Sequence, residues 1–69
     1  MKLSARNLLK GKIVEVIKGT TTSHVRLDIG QGVIITSSIT NEAVDELKLK
    51  EGMEAYAVIK ASDVMVGTK

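Results

Sequence analysis

The sequence contains no cysteine, no proline, no tryptophan and no phenylalanine, and its only aromatic residue is Tyr56. Without cysteine, the chain can form neither disulfide bonds nor thiolate metal sites, and with His24 as its only histidine we expect no structural zinc site and no bound bare metal cation. Because large aromatic side chains are missing, the 43% of hydrophobic residues must build the core from Val, Ile, Leu, Met and Ala.

The length and charge of the chain also limit its function. With 69 residues, the sequence predicts a single domain over residues 1–69, whose small core favours additional stabilisation by a ligand or by subunit contacts. A net charge of +2 without a basic run gives little attraction to polyanions. No apolar stretch is long enough for a signal peptide or a membrane span, so we expect a cytoplasmic protein without membrane association.

The residues that could support catalysis are in unfavourable places. His24 lies in an alternating segment among charged neighbours, without a nucleophile that it could activate. Asp45 and Glu46 lie on the solvent side of a predicted short helix and read as surface charge rather than as an acid/base pair. We therefore expect no catalytic residues and no enzyme activity.

The pattern of apolar residues predicts three strands in the first part of the chain. Residues 12–18 are rich in β-branched residues on both faces, so one face can fill a core and the other a subunit contact. Residues 22–29 alternate, with Val25, Leu27 and Ile29 on the inner face. Gly30-Gln31-Gly32 supplies the backbone freedom of a hairpin turn, and residues 33–39 return as the third strand.

A short helix and two more strands are predicted in the second part. Thr40 or Asn41 can cap a helix over residues 40–47, in which Val44 and Leu47 share a face. Residues 54–60 and 62–66 read as the fourth and fifth strands. This order favours an all-β fold with one short helix, a five-stranded Greek-key barrel of the oligonucleotide/oligosaccharide-binding (OB) type, and a small open sheet is the alternative.

Small hydroxyl residues accompany isolated cations at several places, for example Ser4 with Arg6 and Lys60 with Ser62. A buried dianion requires one or two cations together with several neutral donors, and these residue types supply both. The alternative is a nucleic-acid-binding or protein-interaction barrel. Because Tyr56 is the only stacking platform and the charge is modest, we expect no nucleic-acid partner.

The segment Ser4-Ala5-Arg6-Asn7, followed by Leu8-Leu9-Lys10-Gly11, resembles the N-terminal signature of the molbindins, the small stand-alone molybdate- and tungstate-binding (Mop) proteins. Ile35-Thr36-Ser37, residues 40–47, Leu49 with Gly52, and residues 57–65 continue the resemblance along the whole chain. The resemblance implies the five-stranded barrel, assembled as a hexamer from three dimers. It also implies that the ligand is molybdate or tungstate, held between subunits for storage or homeostasis.

The resemblance also implies two sets of binding residues. The main oxyanion site would use Ser4, Ala5, Arg6, Thr40, Lys60, Ala61 and Ser62, with Lys60 and the Ala61 amide coming from a neighbouring subunit. A second site, on a threefold axis, would use Gly19, Thr20, Thr21 and Thr22. The sequence departs from the family at Ala43, where a hydroxyl residue is expected in the helix, and this removes one donor.

Overall fold

The computed structural model describes all 69 residues. Its regular elements are four strands and one short α-helix. In chain order these are β1 (Asn7–Lys18), β2 (Thr22–Asp28), β3 (Ile34–Thr40), α1 (Asn41–Glu46) and β4 (Glu54–Ile59). The strands form one antiparallel sheet in the order β3-β2-β1-β4. The first three strands follow one another and the fourth returns beside the first, which is Greek-key order and confirms that part of the prediction.

The long strand β1 joins the two halves of the sheet. Its first half pairs with β4 and its second half pairs with β2, and the register shifts between Ile13 and Glu15. This bulge bends the strand and lets one chain segment serve both halves. At Gly11 a Cβ atom would lie only 2.7 Å from the Asp28 carbonyl oxygen, so the close approach of the backbones requires glycine. The sequence-based assignment began this strand at residue 12 and missed residues 7–11.

The hairpin of β2 and β3 forms as predicted. Val25 and Leu27 are buried while His24 and Arg26 are exposed, as the alternation in the sequence requires. The φ angles are positive at all three turn residues: 100° at Gly30, 54° at Gln31 and 76° at Gly32. Glycine adopts such angles without steric cost, which suits it to a tight turn. The Val33 amide donates to the Gly30 carbonyl oxygen at 3.0 Å and closes the turn.

The helix α1 covers one end of the small core. Thr40 is its N-cap, and the Thr40 side chain accepts a hydrogen bond from the Ala43 amide at 3.1 Å. Val44 is buried in the cluster that Ile13, Val25 and Leu27 complete. Leu47, expected on the same face as Val44, follows the end of the helix and is 60% exposed. No helix in the structure is long and apolar enough to span a membrane.

The prediction of a fifth strand over residues 62–66 is wrong. Ala61–Asp63 instead forms a 3₁₀ turn, in which the Asp63 amide donates to the Lys60 carbonyl oxygen at 2.9 Å. After this turn, residues 64–69 have no neighbouring strand with which to form backbone hydrogen bonds, and a strand depends on such pairing. Met65 and Val66 are consequently 94% and 90% exposed.

Without a fifth strand, the sheet curls into a half-barrel rather than a closed barrel. The gap between β3 and β4 is an open groove of about 660 Å³, lined mainly by apolar side chains. Ile35 and Ile39 line one side of this groove, and Ala55 and Ile59 line the other. The curled sheet therefore leaves much of its inner apolar face uncovered.

Candidate functional site

Most residues of the predicted main site lie where β1 begins and β4 ends. Asn7 and Ile59 form the last pair of the β1–β4 ladder, and the Asn7 side-chain nitrogen donates to the Ile59 carbonyl oxygen at 3.1 Å. Arg6 immediately precedes this pair and Lys60 immediately follows it. We call the resulting group the N-terminal cluster; it comprises Ser4, Ala5, Arg6, Lys60, Ala61 and Ser62.

The hydrogen-bond donors of the N-terminal cluster are free. The three ion pairs of the structure involve other residues, so neither Arg6 nor Lys60 contacts a carboxylate, including that of nearby Asp63. The hydroxyls of Ser4 and Ser62 form no hydrogen bond within the chain. The cluster thus presents two unpaired cations and two free hydroxyls at one exposed end of the sheet.

Thr40 lies elsewhere, beside the residues of the predicted second site. It pairs with Thr22 in the β2–β3 ladder, and the turn between β1 and β2 is closed by the Gly19 amide, which donates to the Thr22 carbonyl oxygen at 2.8 Å. We call this group the hairpin cluster; it comprises Gly19, Thr20, Thr21, Thr22 and Thr40. The Thr40 hydroxyl accepts from the Ala43 amide and keeps its own hydrogen free to donate.

The two clusters lie at opposite ends of β1. A strand of 12 residues spans roughly 36 Å along its path, and even a bent strand of this length separates its ends by far more than the width of one oxyanion. Within one chain, the structure therefore brings Arg6 and Lys60 together but leaves Thr40 apart from them. A single anion can contact Thr40 and Arg6 only when they belong to different chains.

Asn41 and Ser23 form a polar network that the sequence reasoning missed. Ser23 is completely buried, and its hydroxyl donates to the Asn41 side-chain oxygen. The Asn41 side-chain nitrogen donates to the carbonyl oxygens of Gly19 and Thr20 at 3.0 and 3.3 Å. The alternation of β2 could have predicted this network. It places Ser23 on the inner face with Val25, and a buried hydroxyl requires a hydrogen-bond partner.

The residues considered for catalysis are not brought together. His24 is exposed on β2, opposite Ser38. Asp45 forms an ion pair with Lys18 at 2.6 Å, and no group of three or more His, Cys, Asp or Glu side chains could hold a metal ion. Cations, hydroxyls and free amides remain, and these groups are suited to binding an anion.

Comparison with known proteins gives consistent results. Residues 3–66 match the TOBE domain family. The probable molybdenum-pterin-binding protein of Haemophilus influenzae is 51% identical over 69 residues, which cover 100% of both chains. The solved structure of MopII from Clostridium pasteurianum is 49% identical, with a TM-score of 0.90 over 97% of this chain and 100% of that one.

A third similar protein is ModG, described as a cytoplasmic molybdate-binding protein and solved with molybdate bound. It is 46% identical, and the superposition has a TM-score of 0.95 over 100% of this chain and 49% of ModG. The TOBE match over nearly the whole chain and the full-length similarity to Mop proteins lead to one assignment. This chain belongs to the TOBE domain family and, within it, to the small Mop proteins, the molbindins.

Proposed function

We propose that this protein binds molybdate reversibly, without a chemical step, at sites completed between copies of the chain. The observation that carries the proposal is the N-terminal cluster, in which Arg6 and Lys60 have no carboxylate partner and lie among free donors. The similarity to ModG, which was solved with molybdate bound, supports molybdate as the anion. Tungstate has the same charge and tetrahedral shape, and we expect it to bind in the same way.

The chemistry of the cluster suits a dianion. The Arg6 guanidinium can donate two forked hydrogen bonds to two oxygens of the anion, while Lys60 contributes a compact positive charge. The hydroxyls of Ser4 and Ser62, with the backbone amides around Ala5 and Ala61, can serve the remaining oxygens. Such a site is rich in donors, so an anion that keeps a proton near neutral pH offers one oxygen fewer to those donors and can pair its proton only with a serine hydroxyl. We therefore expect phosphate to bind more weakly than molybdate, with sulfate separated from molybdate by size.

Assembly of several chains completes the proposal. Thr40 can join the N-terminal cluster only from another copy, and the apolar groove between β3 and β4 leaves a surface for such copies to cover. Leu8 and Val58 are also paired and about half exposed on the outer face beside the cluster. These surfaces favour a homo-oligomer, which we propose to be a hexamer of three dimers. The Gly19–Thr22 loop would then form the second site on its threefold axis.

The proposed biological role is storage or homeostasis of the anion. A reversible site without catalysis can take up and release molybdate as its concentration changes, and the description of ModG as cytoplasmic supports the same compartment for this protein. Because several relatives carry the name molybdenum-pterin-binding protein, a pterin is the second ligand to consider. The N-terminal cluster has no aromatic side chain to stack on a pterin, which favours the bare oxyanion.

A thermal-unfolding series tests the proposal. The purified protein is heated with molybdate, tungstate, sulfate, phosphate or a free pterin, and a sizing column gives its oligomeric state. We expect molybdate and tungstate to raise the Tm of an oligomer, because a ligand that binds only the folded state stabilises it. Arg6→Ala and Lys60→Ala should each reduce this shift, whereas Lys50→Ala, a matched loss of an exposed lysine without an ion pair, should not. No Tm shift with any oxyanion, or a shift with the pterin alone, would overturn the proposal.

A further inference from the structure

Asn41 contacts three consecutive carbonyl oxygens of the turn between β1 and β2. Its side-chain nitrogen donates to the carbonyl oxygens of Gly19 and Thr20. Its backbone amide donates to the carbonyl oxygen of Thr21 at 2.9 Å. The Asn41 side-chain oxygen accepts from the hydroxyl of Ser23. Since carbonyl oxygens only accept, they determine that the donating end of the Asn41 amide faces the turn, and the Ser23 hydroxyl supports this orientation by donating to the other end.

These contacts leave the donors of the same turn unused. The backbone amides of Thr20 and Thr21 donate to no group in the chain, and the hydroxyls of Thr20, Thr21 and Thr22 take part in no hydrogen bond. Carbonyl oxygens are the negative ends of peptide dipoles and repel an anion, whereas amides and hydroxyls attract one. Asn41 therefore binds the carbonyl oxygens of the turn, which would repel an anion. The amides and hydroxyls of the turn, which would attract one, stay available.

A small cavity adjoins this turn. It measures about 240 Å³ and is lined by Ile17, Gly19, Thr22 and His24, so it reaches the turn at the turn's first and last residues. No side chain with a negative charge lines it. A tetrahedral oxyanion beside this cavity meets no carboxylate among the lining residues, and the amides of Thr20 and Thr21 belong to the same turn although they do not line the cavity.

We propose that Asn41 is the positioning residue of the oxyanion site at the Gly19–Thr22 turn. It holds the carbonyl oxygens of the turn away from the anion, and the buried Ser23 hydroxyl holds the Asn41 side chain in place by donating to its oxygen. The proposal rests on the proposed function, because it assigns a role at the second molybdate site. Asn41 itself need not touch the anion.

The test uses the full-length protein and follows each cluster separately. Molybdate is titrated into the wild type, Ser23→Ala and Asn41→Ala, while NMR records the amide signals of Thr20 and Thr21 for the turn and of Ala61 for the N-terminal cluster. In the wild type we expect molybdate to shift the signals of both regions. In both variants we expect binding at the turn to weaken by about tenfold, the scale of one hydrogen bond lost from the network that holds the turn. Binding reported by Ala61 should weaken less than binding at the turn, because Thr40, which only adjoins the network as its neighbour, is one donor among several at the main site.

Ser23→Ala is the decisive variant because the Ser23 side chain is 0% exposed and cannot reach an anion. Any loss of affinity at the turn must then pass through Asn41. Val44→Ala is the matched control, since it removes buried groups from α1 without touching the network. A purely structural role would make all three variants behave alike, with a lower Tm but wild-type affinity at temperatures well below it.

The outcomes separate the two proposals. If molybdate shifts Ala61 but never Thr20 or Thr21, the role of Asn41 and the second site are wrong, and molybdate binding at the main site stands. If Ser23→Ala and Asn41→Ala bind at the turn like the wild type, only the role of Asn41 is wrong. If molybdate shifts no signal in the wild type, both proposals are wrong. Weakening at the turn in Ser23→Ala and Asn41→Ala, but not in Val44→Ala, supports the positioning role.

Discussion

The two ends of β1 offer hydrogen-bond donors in opposite ways. The N-terminal cluster is cationic and exposed, and its side chains form no hydrogen bonds within the chain. The hairpin cluster has no charge, and its turn is fixed by the hydrogen bonds of Asn41, which Ser23 orients. The N-terminal cluster therefore attracts anions by charge, but its side chains are not held in one position. The hairpin cluster is held in one position but carries no charge.

This difference indicates that the two clusters contribute differently to the free energy of anion binding. Arg6 and Lys60 attract an anion strongly, but their long side chains lose rotamer entropy when they are ordered around it. The hairpin cluster is already ordered, so its donors lose little entropy on binding, although neutral donors attract a dianion less strongly. A site that takes Thr40 from one chain and Arg6 from another would combine the two properties.

The largest expected effect comes from removing the charge at one end. In the double variant Arg6→Ala/Lys60→Ala we expect molybdate affinity to fall by about 100-fold or more, because each lost cation removes a hydrogen bond to a charged group worth roughly 1.5–3 kcal/mol. Titration calorimetry measures the affinity. The free energy of unfolding without ligand should change by less than about 0.5 kcal/mol, since neither side chain has a partner in the chain.

A matched loss of charge provides the control for this variant. Lys12 and Lys50 are exposed lysines without ion pairs, and they lie outside both clusters. If Lys12→Ala/Lys50→Ala reduces affinity as much as the first double variant, general charge attracts the anion. The contrast between the two ends of β1 would then be wrong.

The next largest effect concerns the strand that connects the two ends. Gly11→Ala places a Cβ atom 2.7 Å from the Asp28 carbonyl oxygen and 3.1 Å from a side-chain carbon of Ile29, so β1 must move away from its neighbour. We expect a loss of about 1–3 kcal/mol in the free energy of unfolding, as for other cases of overpacking. Denaturant unfolding measures it. Gly67→Ala meets nothing within 4 Å and should be neutral; equal losses in both variants would contradict the close approach at Gly11.

Local sequence patterns predicted the parts of the fold that depend on near neighbours. The alternation around Val25 and Leu27, the hairpin turn at Gly30 and the cap at Thr40 all appear in the structure as expected. Residues 7–11 were missed because Gly11 weakens their strand pattern and only pairing with the distant β4 makes them a strand. The fifth strand was predicted from apolar residues that, in one chain, have no sheet edge beside them.

The candidate site was predictable in composition but not in arrangement. The resemblance to the molbindins named Arg6, Lys60 and Thr40 as one set, and only the strand pairing shows that Thr40 lies at the far end of β1. From the sequence, Asn41 was interpreted only as an alternative N-cap to Thr40. Its contacts with the turn cross about twenty residues of sequence, and no local pattern reports them.

A smaller effect is expected from the hydrogen-bond network at the neutral end. Ser23→Ala removes the donor to the Asn41 side-chain oxygen and should lower the free energy of unfolding by about 1–2 kcal/mol, because the loss leaves a part-buried acceptor unpaired. Chemical denaturation without ligand measures this loss. Ser38→Ala, on the exposed face of β3, should cost less than about 0.5 kcal/mol. If the two serine variants are equally stable, the network does not order the hairpin cluster.

The smallest expected effect is that of the Lys18–Asp45 ion pair beside the hairpin cluster, and it tests whether charge as well as hydrogen bonding orders this end of β1. Lys18 pairs with Asp45 at 2.6 Å beside the hairpin cluster, but the two side chains are 51% and 65% exposed. Solvent screens such a pair, so Lys18→Ala, Asp45→Ala and the double variant should give a coupling energy below about 0.5 kcal/mol. Denaturant unfolding in low and high salt measures that energy. A coupling above about 1 kcal/mol that falls with salt would show that charge also orders this end, and the contrast with the N-terminal cluster would then be one of degree.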